Sequence, residues 1–191
     1  MNLSDIQKRA LLNLARANIH AHLSHQNLPS WILVKELKTL GEIQSGAFVT
    51  LTIQDDLRGC IGLTESRKPL PEVIQEMAIA AATQDPRFPR VGLSELPLIK
   101  IEISVLTPPE IVPDLELIEI GRHGLVVEQG WNRGLLLPQV ATEWDWDREE
   151  FLAHTCEKAG LRHSAARDSR TTVYWFEAII FSEAESVASP D

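Results

Sequence analysis

The stretch GAFVTLTIQDDLRGCIGL, residues 46–63, decides how the middle of the chain folds. Apolar side chains occupy every second position from Ala47 to Ile53, which predicts a β-strand with one buried face. A short polar turn follows, and strand-like sequence resumes over residues 57–63. The two halves are therefore predicted to pair as a β-hairpin.

The second strand of this hairpin carries residues that are typical of a reactive or ligand-binding site. Cys60 stands between Gly59 and Gly62, just behind Arg58. Glycines let a ligand approach the main chain closely, and an arginine charge favours the thiolate, which is the nucleophilic form of cysteine. Strand alternation predicts that Arg58 and Cys60 share a face. The alternative is a small buried cysteine in a strand that its glycines bend or bulge.

Other elements flank the hairpin in the first half of the chain. Ser4 and Gln7 have the spacing of a capping box, which predicts a helix over residues 4–23. An apolar stripe predicts a second helix over residues 71–84, and alternation predicts a strand over residues 98–106.

The second half repeats this order of elements. Short strands at 124–128 and 134–138 are predicted to form a hairpin around Gly130. A helix over 148–159 and a strand over 171–181 follow.

Strands in groups separated by single helices predict an α+β fold with a mainly antiparallel sheet and packed helices, not a doubly wound parallel sheet. The order hairpin, helix, strand occurs at 46–106 and again at 124–181. We therefore expect one domain, residues 1–191, with two related β-rich halves that share a core. The proline-rich segment 107–113 suggests lobes 1–106 and 114–185.

Composition narrows the class of partner. Lys and Arg number 18 and Asp and Glu number 27, so the net charge is −9. Because this negative charge repels the phosphate backbone of DNA or RNA, a nucleic-acid partner is not expected. No apolar run is long enough to span a membrane, and the first residues do not resemble a signal peptide, so a cytoplasmic location is expected. The two cysteines, Cys60 and Cys156, are expected to be free thiols.

Two further loops hold candidate site residues. In DPRFPR, residues 85–90, prolines stiffen a loop that fixes Asp85 and Arg87, which suits a binding site. The alternative is that Asp85 pairs with a nearby arginine and Phe88 fills the core. His123 lies among glycines, where it could transfer protons or simply occupy a turn.

The segment Trp144–Asp147 alternates tryptophan and aspartate before a predicted helix. It could form a partner-binding surface, although a packed loop is the more common role for tryptophan.

Motifs for common cofactors and metals are missing. The sequence contains no P-loop, no G-x-G-x-x-G, no G-x-S-x-G and no H-E-x-x-H. Of the histidines at 20, 22 and 25, only His22 and His25 could share a helical face, and no C-x-x-C pair accompanies them, so we predict no metal site and no cofactor.

Several short motifs follow one another along the sequence in the order that is typical of one protein family. They are LRGCIG, DPRFP, IEISVLTP, GRHGLVVEQG, RGLLLPQVATEWDWDREEFL and CEKAGL. Together they resemble the AMMECR family, protein A of the AmmeMemoRadiSam system, over most of the chain. The resemblance implies an α+β fold of two related halves and an association with a Memo-type protein and a radical-SAM protein.

The resemblance also implies where a site would lie. Its candidate residues are Arg58, Gly59, Cys60, Gly62, Asp85, Arg87 and His123, with Gln139 as a weaker one.

Two functions fit these residues. In an enzyme, Cys60 would be the nucleophile, Arg58 would steer an anion and His123 would act as acid or base. In a non-catalytic binding or scaffold module, the same motif would hold an unknown small molecule for the partner proteins. The sequence leaves the enzyme status open.

Overall fold

The computed structural model describes residues 2–29 and 35–183 of the chain. By internal contacts the chain divides into two units. Unit 1 comprises Met1–Leu106 with Ile179–Asp191, and unit 2 comprises Thr107–Ala178. Each unit contains helices and an antiparallel sheet, so the predicted α+β class is confirmed.

The helices and strands are numbered in chain order. They are α1 (Asp5–Leu23), α2 (Lys35–Thr39), β1 (Ala47–Ile53), β2 (Asp56–Leu63), α3 (Leu70–Thr83), β3 (Lys100–Leu106), β4 (Glu110–Ile111), β5 (Gly124–Gln129), β6 (Asn132–Leu136), α4 (Pro138–Glu143), α5 (Arg148–Lys158), β7 (Thr172–Phe176) and β8 (Ala178–Ser182).

The sheet of unit 1 has the strand order β2-β1-β3-β8. The predicted hairpin is confirmed, with Ala47 opposite Leu63 and Thr50 opposite Cys60. The predicted capping box of α1 is also present, since the Ser4 hydroxyl accepts from the Gln7 amide and the Gln7 side chain accepts from the Ser4 amide. Of the alternate apolar residues of β1, Ala47, Val49 and Leu51 are fully buried and Ile53 is partly buried.

Gly59 determines how closely α3 packs on this sheet. A Cβ atom at Gly59 would lie 2.2 Å from the carbonyl oxygen of Ala81 in α3. Only glycine allows the helix backbone to approach the strand this closely. The face of β2 that carries Gly59 is therefore the face that packs against α3, and Cys60 points to the opposite face.

Unit 2 repeats the frame of unit 1. Its sheet has the order β4-β7-β5-β6, with β5 antiparallel to both β6 and β7. Val127 of β5 lies opposite Gly134, as Leu51 of β1 lies opposite Gly59. A Cβ atom at Gly134 would lie 2.3 Å from the amide nitrogen of Ala159, at the end of α5. Both hairpins therefore use an Arg-Gly pair at the place where a helix approaches.

The predicted strand over 171–181 is wrong as a single strand. It is broken at Glu177 into β7, in the sheet of unit 2, and β8, in the sheet of unit 1. The break occurs because Glu177 leaves the ladder to bond with Thr107: its amide donates to the Thr107 hydroxyl at 2.8 Å, and its carbonyl accepts from the Thr107 amide at 2.8 Å.

Other boundaries differ by smaller amounts. The strand expected over 98–106 begins at Lys100, because Leu93–Leu98 form a 3-10 turn. The short helix α4 was not predicted, since six residues are too few to show a helical period.

Candidate functional site

Cys60 lies at the centre of a polar row across the sheet of unit 1. Its thiol is half-buried, and the Thr50 hydroxyl donates a hydrogen bond to its Sγ at 3.3 Å. Thr50 lies between Cys60 on one neighbouring strand and Glu102 on the other. A thiol, a hydroxyl and a carboxylate therefore follow one another across three strands. Glu102 is half-buried, and its side chain makes no ion pair or hydrogen bond with the described residues.

The corresponding row in unit 2 has no thiol and no charged group. Matching Leu51–Gly59 to Val127–Gly134 places Leu135 at the position of Cys60, Val126 at that of Thr50 and Tyr174 at that of Glu102. The frame thus forms without a thiol or a carboxylate at these positions. The polar row of unit 1 is not a requirement of the fold.

Asp85 and Arg87 close the outer edge of β2 at Cys60. The Cys60 amide donates to Asp85 Oδ2 at 2.9 Å, and Arg87 Nη2 donates to the Cys60 carbonyl at 3.4 Å. The ion pair thus presents an acceptor and a donor to the strand, as a neighbouring strand would. The prediction that the Cys60 amide would be open to a ligand is wrong, because Asp85 occupies it.

The Asp85 carboxylate is almost fully enclosed and still ionised. Arg87 donates to both of its oxygens, from Nε at 3.0 Å and from Nη2 at 2.7 Å. These bonds, followed by those from the Cys60 and Arg87 amides, hold the pKa of Asp85 well below its ordinary value despite the burial. The Asp85 side chain is 2% exposed, whereas that of Arg87 is 54% exposed.

The guanidinium of Arg87 keeps one unused edge. Nε and Nη2 face Asp85, so the two N–H groups of Nη1 point away from the carboxylate. Nη1 has no acceptor among residues 2–29 and 35–183. The sulfur of Cys60 is close enough for its charged form to raise the pKa of Arg87, after the larger effect of Asp85.

Arg58 has no comparable edge. The register shifts between Leu51 and Thr52, so Arg58 is the extra residue of a β-bulge. Its Nε and Nη2 donate to Glu95, and its Nη1 donates to the Pro89 carbonyl at 2.9 Å. Every nitrogen of this guanidinium is used, and the side chain is 14% exposed. Arg58 therefore braces the loop after α3.

Gly62 is also explained by packing. A Cβ atom there would lie 2.2 Å from the Phe48 ring, opposite it in β1. Gly59 and Gly62 thus accommodate α3 and Phe48, and neither is needed to expose the main chain of Cys60.

His123 is a buried residue of unit 2. Its Nδ1 accepts a hydrogen bond from the Glu119 amide at 3.0 Å, and its ring centroid lies 4.5 Å from that of Trp175. Burial, and then the charge of Arg122, lowers the pKa of His123. All of these contacts lie within unit 2, where the neutral ring fastens the turn before β5.

Gln139 remains without an explanation. Its side-chain oxygen is buried and has no hydrogen-bond partner in the described part of the chain.

Sequence reasoning missed three residues that shape this site: Thr50, Glu95 and Glu102. Alternation together with the register of β1 would have found Thr50 and Glu102. Nothing local marks Glu95, which lies 37 residues from Arg58 along the chain.

The described residues contain neither a metal-binding cluster nor a membrane-spanning helix. Within residues 2–29 and 35–183, no three His, Cys, Asp or Glu side chains are grouped in a way that could hold a metal ion. No helix in the same ranges combines the length and the apolar character needed to cross a membrane.

The chain is similar to a family of archaeal proteins. The AMMECR1 family model matches residues 12–181. A protein of Methanothermobacter thermautotrophicus is 50% identical over 189 residues, which cover 95% of this chain and 96% of that protein. A protein of Methanocaldococcus jannaschii is 46% identical and covers 90% of this chain and 87% of its own length. The crystal structure of an uncharacterised protein from Pyrococcus horikoshii superposes with a TM-score of 0.79 at 42% identity, covering 95% of this chain and 93% of that one.

Proposed function

Because the chain belongs to the AMMECR1 family, we propose that it is a ligand-binding protein that acts with a Memo-type protein and a radical-SAM protein. Its site is the polar row of Cys60, Thr50 and Glu102 together with Arg87. It holds a small molecule with a carboxylate or phosphate group and presents it to these partners in the cytoplasm.

The free edge of Arg87 carries this proposal. Two N–H groups on a guanidinium that a buried aspartate holds in place are a preorganised donor for an anion. The same guanidinium donates through Nη2 to the main-chain carbonyl of Cys60, whose thiol is half-exposed. Every nitrogen of Arg58, which was expected to steer the anion, already donates to Glu95 or to the Pro89 carbonyl, so we assign the binding role to Arg87.

The test is anion binding with a matched control. Inorganic phosphate, compared with chloride at equal ionic strength, should raise the Tm of the wild type, and R87A should lose this shift because Nη1 is gone. R170A is the control, because Arg170 makes the same pair with Asp168, at 3.0 and 2.7 Å, on the surface of unit 2. An equal phosphate shift in wild type and R87A, or none in wild type, would contradict the proposal.

A second candidate function is covalent catalysis by Cys60. The Thr50 hydroxyl favours it, because a hydroxyl that donates to sulfur stabilises the nucleophilic form, and the Leu135 counterpart shows that the frame does not need this thiol.

Alkylation separates the two candidates. Iodoacetamide should modify Cys60 before Cys156, since Cys156 is fully buried and burial raises its pKa. If Cys60 is a nucleophile, T50V should slow this modification. C60S should then abolish the cellular function, while co-purification with the partner proteins persists. If C60S keeps both, the chain is a binding module only.

A further inference from the structure

The loop between α4 and α5 presents an aromatic stack that the proposed function does not use. Trp146 is half-buried and stacks on His154, with ring centroids 3.9 Å apart and planes 12° apart. Trp144 stacks outside Trp146, with centroids 6.1 Å apart and planes 19° apart. Because Trp144 is 68% exposed, its outer face is open to solvent. The expectation of a packed loop therefore describes Trp146 but not Trp144.

The turn that makes this stack is a helix C-terminal motif. The Trp146 amide donates to the Ala141 carbonyl at 2.9 Å, and Asp145 adopts a left-handed conformation with φ 54°. This is the position that glycine usually occupies after a helix. The reversal brings two tryptophans, separated by one residue, onto the same side of the loop.

Two carboxylate residues flank Trp144 in the sequence. Glu143 and Asp145 are both exposed, and neither side chain makes an ion pair or hydrogen bond with a residue that the structure describes.

The acids that follow differ, since they have structural partners. Asp147 and Glu150 form the capping box of α5, and Glu149 pairs with Arg167 at 2.6 Å. The helix cap and this ion pair therefore explain Asp147, Glu150 and Glu149. They do not explain Glu143 and Asp145.

We propose that Trp144, Glu143 and Asp145 form a docking surface for a basic segment of a partner protein. A guanidinium or ammonium group stacks on the outer face of Trp144, and the two carboxylates neutralise it. The electron-rich face of an indole and two unpaired negative charges favour the same ligand, which is a cation.

Trp131 supports this choice by contrast. It is 104% exposed at the tip of the β5–β6 hairpin, so it is even more accessible than Trp144. Its nearest charged neighbours, Glu128 and Arg133, pair with each other at 3.0 Å. The hairpin tip thus presents an indole without unpaired acids, and a cation has less reason to bind there.

The test uses a blocked peptide that contains several arginines, with the full chain at physiological salt. The five tryptophans give separate indole N–H signals in a proton–nitrogen NMR spectrum, and W144F and W131F assign two of them. The signal of Trp144 should shift on titration while that of Trp131 stays in place. W144A should weaken peptide binding about two- to five-fold, the range that an exposed cation–π contact supports.

A second variant removes charge without disturbing the turn. In E143Q/D145G, glycine suits the left-handed position better than aspartate, so the loop should keep its shape. We expect affinity to fall as in W144A, with W131A unchanged. Equal shifts of both indoles, no shift of either, or wild-type affinity in E143Q/D145G would overturn the proposal.

Discussion

At the scale of single residues, two aspartate–arginine pairs have the same local geometry but different surroundings. Asp85 binds Arg87 just as Asp168 binds Arg170, through the same three donors at nearly the same distances. Only Asp85 also receives the amide of a strand, that of Cys60. The pair at Asp85 therefore joins the loop after α3 to the edge of β2, whereas the pair at Asp168 is local.

This difference predicts unequal costs of the same substitution. D85N leaves an amide that cannot accept both donors of Arg87, and we expect a loss of about 2 kcal/mol in the free energy of unfolding, as for a buried hydrogen bond to a charged group. D168N should cost less, because Arg170 is exposed to water. Urea unfolding measures both, and equal losses would show that the bond to Cys60 contributes nothing.

At the scale of elements, the sequence predicted what repeats locally and missed what depends on distant contacts. The hairpin at 46–63 was predictable because alternation is a local pattern. The bulge at Arg58 was not, since the partner that draws this side chain away is Glu95. Strict alternation from Cys60 to Arg58 therefore does not hold, because Arg58 is the extra residue of the bulge, between Gly59 and Leu57.

The glycines of the hairpin were found from the sequence, but the contacts that they make were not. They looked like openings for a ligand, because glycine alone does not reveal which element will approach it. Gly59 and Gly134 both receive a helix, which shows that the Arg-Gly pair is a packing device of the repeated frame.

This role of Gly59 leads to a prediction. In G59A, the new methyl group would meet the Ala81 carbonyl, a backbone atom that can move only with α3, and we expect destabilisation of about 1–3 kcal/mol. The control is G92A, where the nearest atom to a Cβ is 3.5 Å away. Thermal unfolding of both variants gives the comparison, and a neutral G59A would mean that α3 does not pack as described.

At the scale of the whole molecule, the two units should respond differently to acid. The folded state of unit 2 lowers the pKa of His123 below its ordinary 6.5, so it favours the neutral ring. This stabilisation is complete above pH 6.5 and is lost as the pH falls. Unit 1 lowers the pKa of Asp85 below 3.8, so its contribution persists until the pH falls under that value.

We therefore predict that unit 2 weakens first on acidification. Four of the five tryptophans, at 131, 144, 146 and 175, belong to unit 2, so tryptophan fluorescence mainly follows that unit. Circular dichroism mainly follows α1 and α3, the two longest described helices, which belong to unit 1. Thermal stability read by fluorescence should decline below pH 6.5, and H123Q should remove most of this decline. Coincident changes by both probes at all pH values would argue against the assignment.

The last described strand, β8, completes the sheet of unit 1 beside β3. Arg16 of α1 donates to both carboxylate oxygens of Glu183, and the same carboxylate accepts from the Ile101 amide in β3. Unit 2 lies wholly between Leu106 and Ile179 in the sequence. During synthesis on the ribosome, all strands of unit 2 emerge before the strand and carboxylate that complete unit 1. The nascent chain therefore keeps the β3 edge of its first sheet unpaired until β8 and Glu183 have left the ribosome.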